Sequence, residues 1–181
     1  MESDAMDSNT LITLLSKRIR DDLALINGLS SSALGQSPKA SDELVSLSLH
    51  IRCISLGTEA LFIDASIDRI NIIRHLQTIV STLVELSSLQ STFTHTDPEL
   101  FCDARRATLV GLALGDLIWR LGRVAVKLEQ ESEGSAICIV SLFSVKVSLE
   151  HRAEFAQNII ETALGSKLRI EEDQISFSFL L

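Results

Sequence analysis

The densest run of apolar positions lies between residues 98 and 121. Leu109, Val110, Leu112, Ala113, Leu114, Leu117, Ile118 and Leu121 leave almost no polar face there, the pattern of a helix enclosed on all sides. Asp97-Pro98-Glu99 reads as its start: a capping carboxylate, a proline whose missing N–H would have had no partner, and an acid at the positive end of the dipole. Gly122 reads as its stop. Asp116 and Arg120 interrupt the apolar surface four residues apart, so they face one another as an ion pair. A second reading makes Asp116 a polar anchor at a partner interface.

Three further helices follow from apolar residues spaced three and four apart. Ile12, Leu15, Ile19, Leu23 and Ile26 form one stripe over 10–27, closed by Asn27-Gly28. Residues 28–41 are rich in Ser, with Gly35 and Pro38, and predict a mobile loop. Over 42–56 two periods compete. Leu44, Leu47, Ile51 and Ile54 fit a helix, while Val45, Leu47, Leu49, Ile51 and Cys53 alternate as in a strand. Helix is the preferred reading, because the neighbouring segments are helical, and Gly57 is expected to break or bend it. Over 68–90, Asp68 is the expected cap. Ile72, Leu76, Ile79, Leu83 and Leu86 then form a coiled-coil-like seam, widened by Ile73, Val80 and Val84. Ser91 to Thr96 reads as a turn into the central helix.

Beyond Gly122 the period changes to two. Val124, Val126 and Leu128 alternate with Ala125, Lys127 and Glu129, and Glu133-Gly134-Ser135 supplies a turn. The β-branched run after it predicts a second strand reaching Leu149, with a bend near Ser141. Glu150 to Leu164 reads as helix, stopped by Gly165. Leu168 and Ile170 then face Ile175, Phe177 and Phe179 across an acidic turn, as in a hairpin. The fold class predicted is α+β, predominantly helical: an N-terminal helical bundle packed with a small C-terminal antiparallel sheet in the order ββαββ. Residues 1–122 form the helical part, and 123–181 a small α+β part sharing a core with the central helix.

Composition narrows the function classes. Hydrophobic residues make up 46% of the 181, aromatic residues 4%, and there is no Tyr, so the core is aliphatic and base-stacking platforms are scarce. A formal net charge of -8 repels phosphate backbones, which argues against direct nucleic-acid binding. Cys53, Cys102 and Cys138 lack C-x-x-C spacing and sit among apolar residues, as reduced core thiols do. The N-terminus is acidic and polar, and no apolar run approaches the roughly 20 residues of a membrane helix. An intracellular location, cytoplasmic or nuclear, without membrane contact is expected.

Candidate chemistry is sparse. Gly111, Gly115 and Gly122 have neither G-x-G-x-x-G nor G-K-[ST] spacing, and His50, His75, His95 and His151 form no ligand pair. No catalytic residue, metal site or cofactor is therefore predicted. The resulting expectation is a non-enzymatic subunit or adaptor of an intracellular multi-protein complex, forming homo- or hetero-oligomers. Its partner contacts are expected at Ile72, Leu76, Ile79, Leu83 and Leu86 on the helical seam, and at Phe177 and Phe179 on the last strand. The alternatives are a small enzyme with a dispersed active site, or a binder of an apolar ligand.

Overall fold

A computed structural model of the chain describes residues 40–63, 68–87, 90–97, 99–143 and 153–181. The helix expected over 10–27, the loop as far as residue 39, the strand expected to continue over 144–149 and the expected helix start over 150–152 lie outside the described residues, as does Pro98.

Helix α1 spans Ala40–Ile63 and resolves the competing periods of that segment. Leu49, His50, Cys53, Ile54, Leu56 and Ala60 are buried, which is the three-and-four spacing of a helix. Gly57 does not end it. A helical glycine costs about 1 kcal/mol relative to Ala, and the packed residues on either side of Gly57 outweigh that.

Two short strands move the expected helix starts. β1 (Arg69–Asn71) pairs antiparallel with β3 (Phe101–Asp103), placing the fully buried Ile70 opposite the fully buried Cys102. Helix α2 therefore begins at Ile72 and runs to Ser87. Its first turn is held by Asn71, whose Oδ1 accepts from the Arg74 amide at 3.1 Å. Asp68, the expected cap, instead offers its carbonyl to the Ala104 amide at 2.8 Å. Helix α3 spans Ala104–Leu121, six residues later than Asp97-Pro98-Glu99 suggested. Asp103 is its cap, accepting from the Arg106 amide at 2.9 Å. Asp97 accepts from the Thr96 hydroxyl at 2.9 Å and from the Gln130 amide at 3.3 Å. The stop at Gly122 is as expected: its φ is +80° and its amide donates to the Ile118 carbonyl.

Among the described residues the main sheet has five strands, with β2 (Thr92–His95), β4 (Val124–Ser132), β5 (Ser135–Leu142), β7 (Gln174–Leu180) and β6 (Arg169–Ile170) neighbouring one another in that order. β4 (Val124–Ser132) and β5 (Ser135–Leu142) form the predicted hairpin through Gly134, at φ +90°. Helix α4 (Glu154–Asn158) continues as a π-helical turn over Ile159–Ala163 and leads to β6 (Arg169–Ile170) and β7 (Gln174–Leu180). β7 lies between β5 and β6, so the apolar C-terminal strand is not an open edge. The segment read as a turn is a strand: β2 (Thr92–His95) runs parallel to β4, with Phe93 opposite Val126. A sheet member thus comes from ahead of residue 122.

The inward residues of the sheet (Val124, Val126, Leu128, Ala136, Cys138, Val140, Ile175, Phe177) join those of α1, α2 and α3 in one core. The architecture is α+β, with helices and two sheets interleaved from residue 69 onward, rather than a predominantly helical bundle with a sheet appended. The coiled-coil-like seam is corrected too. Ile72, Leu76, Ile79 and Leu83 are all buried within the chain's own core, as are Phe177 and Phe179. The side chain of Leu86 lies outside the described residues.

Close packing between α2 and α3 depends on Gly111. A Cβ there would meet Ile79 Cδ1 at 2.6 Å and His75 Nε2 at 2.9 Å, both on side chains buried in the core. Gly111→Ala should therefore destabilise by about 1–3 kcal/mol through overpacking, against a helix-propensity gain of about 1 kcal/mol. A lower urea midpoint is expected. An unchanged or higher midpoint would mean that α2 and α3 are not in contact at this level.

Candidate functional site

The polar groups that the fold buries lie chiefly on its helices, and the largest gathering is where α1 crosses α3. α1 packs on α3 more extensively than on any other element. Gly115 permits the approach, since a Cβ on it would sit 2.7 Å from Cys53 Sγ. The next residue, Asp116, is fully buried at its side chain. Its Oδ1 accepts from Arg120 Nε at 2.8 Å and lies 3.3 Å from His50 Nε2 on α1. The His50 ring stacks on Phe155 of α4, with centroids 4.2 Å apart and planes 14° from parallel. Asp116 Oδ2 is also buried and has no hydrogen-bond partner among the described residues. Three helices thus meet at one imidazole and one carboxylate.

The pairing of Asp116 with Arg120 is the one that helical spacing predicts. His50 is the member that sequence reasoning missed. The available signal was a histidine on the apolar side of α1, three residues before Cys53. Linking it to Asp116 required the crossing of two helices 66 positions apart in the chain, as the structure pairs them.

The other candidate residues do not converge on this junction. His75 is buried beside Gly111 and lines a shallow pocket of about 30 Å³ with Leu56, Ala60, Asn71, Arg74 and Thr78, a space of about one water. His95 is on exposed β2, its Nδ1 2.7 Å from the Asp97 carbonyl oxygen. His151 lies outside the described residues. Trp119 packs against the rim of the core. Among the described residues no group of three His, Cys, Asp or Glu side chains is placed to hold a metal ion.

The three thiols are free and buried. Burial pushes each of them up to about 12, with Asp116 adding to the effect at Cys53 and Asp103 at Cys102. A thiol protonated throughout the neutral range is a poor nucleophile, so Cys53 beside His50 is packing, not a catalytic dyad. Among the described residues no helix is long and apolar enough to cross a membrane.

No protein-family model matches the sequence, and no curated protein does. Solved structures do match in fold. A blue-light activated histidine kinase from Erythrobacter litoralis is similar over 98% of this chain, at 11% identity and a TM-score of 0.69. The chain spans 61% of that kinase's length. The histidine kinase domain of the same protein is similar over 87% of this chain and 95% of its own length, at 12% identity and a TM-score of 0.56. This likeness corrects the expectation of a non-enzymatic subunit or adaptor. That expectation rested on missing motifs in a supposed helical bundle, whereas the chain has a fold found in histidine kinases.

Proposed function

We propose that this chain is a histidine-kinase-type module of phosphoryl-transfer signalling, an enzyme-like domain whose site is assembled from dispersed residues. The observation that carries this reading is the extent of the likeness: the matched 98% takes in both α1 and the sheet-and-helix body. Fold alone does not fix chemistry. The reading therefore stands on two sources of the phosphoryl group, a nucleoside triphosphate or a phosphorylated protein partner. Gly111 and Gly115 are filled against by Ile79, His75 and Cys53, so their backbone is not open to a phosphate as a glycine-rich cradle would be. Three reduced core thiols suit a reducing compartment.

The full chain should be tested in both arms. One follows magnesium-dependent binding of ATP by calorimetry together with label transfer from γ-labelled ATP. The other follows label transfer from a phosphorylated receiver domain of a response regulator to the chain, or from the labelled chain to an unphosphorylated receiver domain. Saturable nucleotide binding with transfer, or transfer with the receiver domain, is the expected result. No nucleotide binding and no transfer in either arm would overturn the reading.

A further inference from the structure

Asp116 is an expensive residue to keep where it is. Its carboxylate lies in an otherwise aliphatic layer with Leu112, Ala113, Leu114, Leu117 and Ile118 on the same helix. Among the described residues only one of its oxygens is engaged. A buried acceptor without a partner bears its full desolvation cost, and burying a charged pair often recovers less than it costs. If α1 moved off α3, both oxygens would reach water and that cost would vanish. Arg120 would lose little by the movement, because its side chain is already 40% exposed. Docking is favoured by the apolar residues of α1 and by two contacts of His50, one to Asp116 and one to the Phe155 ring. These opposing terms meet where α1 crosses α3, the most extensive contact that α1 makes. The sheet has support apart from these contacts, since its strands pair among themselves.

We propose that His50, Asp116 and Arg120 form a latch that sets how firmly α1 docks on α3, and that α1 can open as a unit while the five-stranded sheet stays intact. Phe155 holds the imidazole flat against α4, so that Nε2 is aimed at the carboxylate. Arg120 keeps Oδ1 oriented from within α3. Gly115 lets the two helices come close enough for His50 to reach. The device belongs to the fold and does not depend on which phosphoryl donor the module uses.

The test is hydrogen exchange by mass spectrometry on the full chain, comparing amides of residues 46–60 with those of 135–142 and 174–180. His50→Leu removes the contact that α1 makes to Asp116 and leaves the buried carboxylate facing an apolar side chain. It should speed exchange over 46–60 by about tenfold while the two strands keep their wild-type rates. His50→Gln is the second variant, used if His50→Leu does not fold. It keeps a polar group on α1 but loses the ring stacked on Phe155, and should give the same regional pattern at about threefold or more. Gly115→Cys supplies a staple: a Cβ there would stand 2.7 Å from Cys53 Sγ, so a small shift of the two helices lets the sulfurs join. Oxidation of a Gly115→Cys, His50→Leu protein should return residues 46–60 to slow exchange, and reduction should release them. Equal acceleration of α1 and the strands would overturn the latch, since the His50–Asp116 contact would then support the whole fold. So would wild-type rates in both variants, or a formed disulfide that leaves α1 exchanging fast.

Discussion

Ile79→Glu combined with Leu83→Glu should leave no folded protein at 25 °C. Both side chains are buried in the interior, at 0% and 2% exposure. Ile79 fills the space over Gly111, and Leu83 Cδ1 approaches Gly115. Losing each aliphatic group costs about 2–5 kcal/mol. Each glutamate must in addition either leave water or force α2 away from α3, at several kcal/mol more. Together these exceed the roughly 5–15 kcal/mol that holds a domain of this size together. Circular dichroism should lose its helical signal, and sedimentation should show expanded or aggregated material. If the stripe faced a partner instead, the same variant would keep its spectrum and lose only association, so the two measurements separate the outcomes.

Mild alkali should destabilise the protein more than its charge composition alone would suggest. Burial pushes Cys53, Cys102 and Cys138 from the ordinary value of 9.0 up to about 12 in the folded chain. Between these limits the unfolded chain releases thiol protons that the native chain retains. The native state then binds more protons, so stability falls as pH rises, starting near 9 and continuing towards 12. One pH unit above 9 is worth about 1.4 kcal/mol per thiol, and at pH 10 the three together should cost about 4 kcal/mol. No tyrosine titrates in the same range to confuse the profile. Urea midpoints taken in reductant should hold steady from pH 7 to 8.5 and then fall steeply. A variant with all three cysteines replaced by alanine should start lower, because of the cavities it leaves, and should lose most of the pH slope. Native thiols should also label slowly at pH 7.4. A flat profile above pH 9, or rapid labelling of Cys138, would mean that the thiols reach water.

Much of the chain's local structure was legible from residue spacing. The α-helical period of 72–83, the β period of 124–128 and 175–179, and the stop at Gly122 are short-range patterns. Each reflects which side of one element must leave water. The Asp116–Arg120 pair belongs with them, since four residues of helix bring the two side chains together wherever the helix lies. The helix starts were less legible. Asp97 and Asp68 are both sound caps by residue type, but the pairing of Ile70 with Cys102 drew residues 69–71 and 101–103 into strands and passed the capping role to Asn71 and Asp103. A cap contributes about 1 kcal/mol, and an antiparallel pair with both central residues fully buried outweighs it.

The sequence by itself determined the aliphatic core, the α+β class, the hairpin that begins at Val124 and the one that ends the chain, the pairing of Asp116 with Arg120, and the buried character of the three thiols. The tertiary structure alone decided that β2 joins the sheet in parallel, that the seam of α2 is spent inside the chain, and that His50 closes on Asp116. These three depend on contacts between residues more than 30 positions apart. The chain's periodicity states that a face is apolar but not which surface will cover it. An apolar stripe has the same pattern whether a partner or the protein's own next helix buries it, and only the closed arrangement of elements distinguishes the two.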